Sequence, residues 1–187
     1  MKLGYALTGS FCTVERSLTE LEKLACEHTV IPIVSESIIN TDTRFGRGTD
    51  TVARLSVICN REPIMTVKDA EPLGPSRPLD ALVICPCTGN TLAKLACGIT
   101  DTAVTMAAKA HLRCDRPLII AISTNDALSQ NLKNISTMLM RKGVFFVPFG
   151  QDNPKSKPHS MISDFALISA TLSEAMNGRQ LQPLLLR

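Results

Sequence analysis

The stretch LGYALTGSFCTVERSLTELEKLACEHTVIPIV (residues 3–34) reads as one strand–helix–strand unit. Residues 3–8 are compact and apolar, and Gly9 stops the run. Val14, Leu18, Leu21 and Ala25 then recur at offsets of four, three and four, the spacing of one helical face. Residues 30–34 are rich in β-branched side chains and read as a second strand. The rest of the chain repeats the pattern. Residues 47–60 set Val52, Leu55 and Cys59 on one helical face, with Thr49 or Asp50 as cap. Residues 82–85 form a third strand, stopped by Pro86. Two helices, 91–97 and 103–112, follow on either side of Gly98. Residues 118–122 are a fourth strand, and 128–141 a helix carrying Leu132, Ile135 and Leu139 on one side. Residues 144–147 are a fifth strand ending at Pro148, and 148–158 a long loop. Asp164 caps a last helix in which Phe165, Ile168, Leu172 and Met176 point inward and Gly178 closes the end. Continuously apolar strands alternating with helices imply a parallel sheet covered on both faces. The expected fold is α/β, a single doubly wound, Rossmann-like parallel sheet occupying residues 1–187.

Composition narrows the function classes. The 187 residues are 44% hydrophobic and 20% charged, as in a packed globular chain. Twenty basic against seventeen acidic residues leave a net charge of +3, too weak and scattered to argue for nucleic acid or an anionic membrane. No Trp and one Tyr leave little for a base-stacking platform. The apolar runs 81–85 and 118–122 are far short of the roughly 20 residues of a membrane-spanning helix. Residues 1–10 carry no small-residue cleavage site, so no signal peptide is expected. The seven Cys (12, 26, 59, 85, 87, 97 and 114) form no C-x-x-C element, and no metal site is expected. They read as reduced thiols, mostly buried, of a cytoplasmic protein.

In an open parallel sheet, ligands bind beyond the carboxyl ends of the strands. The segments to weigh are therefore 8–11, 35–37, 86–91, 123–126 and 148–151, most of them rich in hydroxyls and amides. Thr8, Gly9 and Ser10 lead into a helix whose N-terminal N–H groups attract phosphate, although Ser10 could simply cap that helix. The turn is not G-x-G-x-x-G, and no acidic residue ends the second strand, which favours a mononucleotide or plain phosphate over a dinucleotide. Pro86, Thr88, Asn90 and Thr91 form a second polar loop before a helix, which could equally be only a cap. Arg44 and Arg47 are either solvated charges or carboxylate ligands. Cys87 reads as packing. His28, His111 and His159 share no ligand spacing, and only His159 lies near a candidate loop.

Taken together, T-G-S (8–10), Ser35, P-C-T-G-N-T-L-A-K (86–94) and G-I-T-D (98–101) resemble the FMN-binding flavoprotein family, which includes flavin-containing cysteine decarboxylases and flavin prenyltransferases. The family pattern is close to P-x-S-x-N-T-(I/L)-A-K; here Thr88 replaces the Ser and Gly89 a frequent Ala. The resemblance implies a flavoprotein-type sheet and an FMN pocket. In that pocket Gly9 and Ser10, near Ser35, take the phosphate, Thr88, Asn90 and Thr91 face the ring or ribityl chain, and Asn125 approaches the substrate. The decarboxylases place a catalytic His shortly before the third strand, and residues 73–80 (L-G-P-S-R-P-L-D) contain none. Of their P-x-M-N-x-x-M clamp, I-S-T-N-D-A-L (122–128) keeps Asn125. With R-F-G (44–46) and V-P-F-G-Q-D-N-P (147–154), these departures are similar to a subgroup of spore-forming bacteria that works with a second, nicotinamide-binding chain on a small dicarboxylate. That resemblance implies an oxidoreductase subunit, NAD(P) on the partner and a homo-oligomer built on trimers; the candidate donors for the substrate's carboxylates are Arg44 and Arg47, beside Gly46 and Gly48, with Asn125 and the loop 150–153. Two readings stay open beside it: a non-catalytic partner that keeps the pocket for assembly, and an FMN-dependent decarboxylase.

Overall fold

A computed structural model describes residues 1–76 and 78–186. Strand β1 (Lys2–Leu7) lies between β2 (Thr29–Val34) and β3 (Ala81–Cys87), both parallel to it. Strand β4 (Leu118–Thr124) pairs parallel with β3, and β5 (Val144–Phe146) parallel with β4. The parallel order is thus β2-β1-β3-β4-β5, which reverses direction between β1 and β3. That gap is where a doubly wound sheet offers its crevice.

The sheet is mixed, not wholly parallel. The expected loop 148–158 is instead part of a hairpin of β6 (Phe149–Asn153) and β7 (Lys157–Ser163). Its turn is built by Asn153, whose Oδ1 accepts from the N–H groups of Lys155 (3.2 Å) and Ser156 (3.1 Å). Strand β7 runs antiparallel to the end of β4, with Ser123 opposite Ile162 and Thr124 opposite Met161. β5 covers the first half of that β4 edge and the hairpin covers the second. The hairpin therefore rises beside the carboxyl end of β4.

Two apolar layers flank the sheet. On one face, α1 (Val14–Glu27), α3 (Gly48–Cys59) and α8 (Ile168–Met176) bury Leu18, Leu21, Leu55 and Leu172 against Tyr5, Leu7 and Val83. On the other, α5 (Gly89–Cys97), α6 (Ala103–Leu112) and α7 (Leu132–Leu139) bury Leu92, Val104, Ile135 and Met138 against Leu82, Ile84 and Ile120. Each such aliphatic side chain contributes roughly 1.5–3 kcal/mol by leaving water. Tyr5, the single tyrosine, is fully buried, and its hydroxyl donates to Ser17 O (2.9 Å), while Ser17 Oγ donates to Cys85 O (2.7 Å). These bonds tie α1 to β1 and β3 with no buried polar group of Tyr5 or Ser17 left unpaired.

Several local expectations need correction. Pro86 does not stop β3: the strand continues to Cys87, with its register to β4 shifting between Ile84 and Cys87, where proline supplies no N–H. Helix α3 is capped by neither Thr49 nor Asp50. Arg47 occupies the cap position, Gly48 N donates to Asp42 Oδ1 (3.0 Å), and Asp50 sits inside the first turn. Residues 126–131 are turn rather than helix, because Asp126 O accepts from both Ser129 N and Asn131 N. On α7 the buried side is Asn134, Ile135 and Met138; Leu132 and Leu139 face out, as does Met176 on α8. Cys85 and Cys87 are buried, but Cys12, Cys26 and Cys97 are exposed, and all seven thiols are free.

Candidate functional site

At the carboxyl edge, the loops after β1, β3 and β4 meet, and three side-chain contacts hold them together. Thr8 Oγ1 donates to Pro86 O (2.7 Å) and accepts from Thr88 N (3.0 Å), bridging the reversal point of the sheet. Ser10 Oγ shares a bond with Ser123 Oγ (2.8 Å), joining the β1 loop to the end of β4. Thr13 Oγ1 donates back to Ser10 O (2.9 Å). Behind the β4 loop, Asn134 Nδ2 donates to Asn131 Oδ1 (2.8 Å), and Asn131 Nδ2 donates to both Asp126 oxygens (2.9 and 2.8 Å). Thr124 Oγ1 donates to the same carboxylate. This chain of bonds fixes the turn that presents Asn125.

These loops enclose a cavity of about 910 Å³, within the size range of ligand and cofactor pockets. Gly9, Ser10, Arg44, Thr88, Asn90 and Asn125 line it, so six of the residues proposed from sequence converge on one space. Five do not reach it. Thr8 and Pro86 are used up in the bridge described above. Thr91 is buried, its N–H donating to Thr88 Oγ1 (3.2 Å) and its hydroxyl accepting from the same oxygen (3.0 Å). Ser35 is buried and bonds Ser37 Oγ (2.9 Å). Arg47 lies beyond Gly46, exposed and paired through Nε with Asp50 (3.1 Å). A helix cap explains Thr88 in part, since its hydroxyl accepts from Thr91 N, but Ser10 makes no side-chain cap bond.

Other residues complete the lining, some from segments the sequence singles out (123–126 and 150–153) and some not proposed from it. Thr13 and Arg16 follow Ser10 at intervals of three, the spacing that keeps them on its side of the helix. The hairpin contributes Asp152, Lys157, Ser160, Met161 and Ile162, and the β4 end contributes Ser123, Thr124 and Asp126. Phe45 and Cys12 complete the rim. Lys157 is held by Asp152 at 2.7 Å, which pushes its ammonium above the usual lysine range. His159 is exposed in β7, and His111 is fully buried with Nε2 2.9 Å from Pro117 O. Cys87 lies wholly in the core, where burial raises its thiol pKa. Among the described residues, no three His, Cys, Asp or Glu side chains cluster as a metal site, and no helix is long and apolar enough to cross a membrane.

Two glycines are dictated by close approach. A Cβ on Gly9 would lie 2.6 Å from Ser37 Oγ and 3.1 Å from Ser37 Cβ, so a side chain there would have to displace Ser37 of α2 (Glu36–Asn40). A Cβ on Gly89 would lie 2.5 Å from both Asn131 Nδ2 and Thr124 Oγ1. The 3-10 turn Phe11–Thr13 runs directly into α1, and among the described residues no chain acceptor takes the N–H of Phe11 or Cys12. With the hydroxyls of Ser10 and Thr13, and no carboxylate in residues 9–13, this corner is suited to a phosphate.

The flavoprotein family profile matches residues 1–170. The chain belongs to the flavoprotein family. This flavoprotein is 44% identical over 185 residues to the B subunit of dipicolinate synthase of Bacillus subtilis strain 168, covering 98% of its own length and 92% of that protein's. Its fold superposes on the crystal structure of the B subunit of dipicolinate synthase from Bacillus halodurans C with a TM-score of 0.91 and 40% identity, over all of this chain and 96% of that one. The FMN-dependent cysteine decarboxylase SpaF shares the fold at a TM-score of 0.70 and 22% identity, over 94% and 97% of the two chains.

Proposed function

We propose that this flavoprotein serves as the B subunit of a dipicolinate synthase, removing two hydrogens from a dihydrodipicolinate-type ring together with an A subunit. The observation that carries the proposal is 44% identity across nearly the whole of both chains to a protein of that name. In this reading the nicotinamide that takes up the electrons sits on the A subunit. The complex works in the cytoplasm of a sporulating cell, with this chain as a homo-oligomer. FMN is the cofactor the site fits. The family profile supports it, and so do the corner with its free amides and the volume of the cavity.

When bound, the flavin supplies an acceptor for two electrons. The chain's own residues do the positioning. Gly9, Ser10 and the amides of Phe11 and Cys12 receive the phosphate. Thr88, Asn90 and Asn125 supply hydrogen bonds from the loops on the other side of the crevice. Arg44 faces a substrate carboxylate, which is costly to bury without a cationic partner. The carboxylate and ammonium that meet on the cavity wall, Asp152 and Lys157, are closed on each other in a salt bridge on the hairpin, not poised to move a proton from carbon. The site's contribution is therefore binding and orientation.

The test is reconstitution. Purified A subunit, a reduced precursor and a nicotinamide cofactor should yield dipicolinate, followed by its ultraviolet absorbance, only when this chain is present. Full turnover by the A subunit on its own would refute the assignment.

A further inference from the structure

We infer that Arg16 and Arg44 form a two-point clamp for an anionic ligand, so that the cavity selects a dicarboxylate over a monocarboxylate; the inference rests on the proposed synthase reading and deepens it. Three cations line the cavity: Arg16, Arg44 and Lys157. Lys157 is already neutralised by Asp152 at 2.7 Å. The two arginines make no ion pair among the described residues, although nine other pairs form across the surface. Each lies over an aromatic ring instead, and both are exposed at the cavity. The Arg16 guanidinium carbon lies 5.3 Å from the Phe165 ring centre, and that of Arg44 lies 4.8 Å from the Phe45 ring centre. Among the described residues these are the only two cation–π contacts, and both fall on cavity arginines.

The chemistry of that arrangement differs from an ordinary solvated arginine. Contact with a ring face holds a guanidinium in place through its π surface and leaves the N–H edge free. An edge of that kind matches one carboxylate bidentately. The rings come from separate parts of the fold: Phe165 is a core side chain after β7, and Phe45 is the neighbour of Arg44 in the turn before α3. Two guanidiniums carried by separate segments on one cavity suit a ligand with two anionic groups. A monoanion can satisfy only one. A flavin phosphate is the competing source of negative charge, and the amides of Phe11 and Cys12 provide for it separately.

The experiment is equilibrium titration of the full chain, with and without saturating FMN, using pyridine-2,6-dicarboxylate and pyridine-2-carboxylate as probes. The wild-type chain should bind the dicarboxylate at least tenfold more tightly. R16A and R44A should each weaken dicarboxylate binding by about tenfold to a hundredfold, the worth of one charged hydrogen-bonded contact, and abolish the preference over the monocarboxylate. R16K and R44K should restore only part of it, because ammonium lacks the fork. R141A, an exposed arginine outside the cavity, should change nothing. Equal affinity for the two probes, no dicarboxylate binding by the wild-type chain, or unchanged binding in R16A would each overturn the clamp. Loss of FMN affinity in R16A or R44A with dicarboxylate binding intact would overturn it too, by assigning the arginines to the flavin. Failure of FMN to bind, with the dicarboxylate preference preserved, would count against the flavin reading and leave the clamp standing.

Discussion

Replacing Gly89 by Ala adds one methyl group to the start of α5, and its consequence can be worked out from the contacts. The new Cβ would lie 2.5 Å from Asn131 Nδ2, 2.5 Å from Thr124 Oγ1 and 2.7 Å from Asp126 Oδ1. None of these is the free end of a flexible chain. Asn131 is buried and bonded on both sides, to Asp126 and by Asn134, while Thr124 is bonded to Asp126. Relief requires breaking the Asn131–Asp126 contact, about 1.5–3 kcal/mol for a bond to a charged group, plus about 1–3 kcal/mol of overpacking. The gain in helix propensity returns up to about 1 kcal/mol. The net loss should be about 1.5–5 kcal/mol, or roughly 4–13 °C in Tm for a chain of this size. Because the strained turn also presents Asn125, FMN affinity should fall together with Tm. Thermal unfolding by circular dichroism, with flavin titration on the same samples, measures both. A Gly89→Ala variant within about 0.5 kcal/mol of wild type, the usual scatter of a neutral substitution, with unchanged FMN binding, would refute the view that this network sets the geometry of the turn.

Three further expectations follow from individual residues. Arg44→Ala should lower kcat/KM of the two-chain reaction by about tenfold or more without weakening FMN binding, checked by steady-state kinetics; wild-type kinetics would return Arg44 to the solvated surface. Cys12, Cys26 and Cys97 should react with iodoacetamide at pH 8 while Cys85 and Cys87 stay unmodified by mass spectrometry, because the latter are buried and burial pushes the Cys85 thiol up to about 12. Burial lowers the folded-state pKa of His111 below its usual 6.5. The unfolded chain thus binds this proton first, and stability should fall as pH drops from about 6.5 through the lower folded value. His111→Gln should flatten that part of the urea-midpoint profile between pH 7 and 5, and an unaltered slope would show that other groups carry it.

The alternation of apolar runs with helical faces made the five parallel strands and most helices legible, because burial on both sides of a sheet leaves its mark on nearly every strand residue. The hairpin was hidden for the opposite reason. Its tip is exposed and polar, and its turn depends on Asn153 binding two N–H groups, a local contact with no hydrophobic period. Missing it also concealed Lys157 and Ser160 as cavity residues, although the loop holding Asp152 was among the candidate donors. Motif order brought Gly9, Ser10, Thr88, Asn90 and Asn125 to one place, as the sheet reversal requires. Which hydroxyls face the ligand and which tie loops together was not legible: Thr8 and Thr91 are as polar as Thr88, and only the three-dimensional bonding separates them. Arg16 was passed over because its partner is an aromatic ring some 150 positions away in sequence.

The central claim, that the corner formed by Gly9, Ser10 and the Phe11 and Cys12 amides holds a flavin phosphate, is tested most directly by FMN titration of the wild-type and Ser10→Asp chains. Flavin fluorescence and absorbance should show saturable binding of one FMN per chain to the wild type. Ser10→Asp places a negative charge at the same helix start and should weaken binding at least tenfold, with Tm nearly unchanged. A wild-type chain that takes up no FMN, alone or with the A subunit, or a Ser10→Asp chain that binds it equally well, would contradict the account.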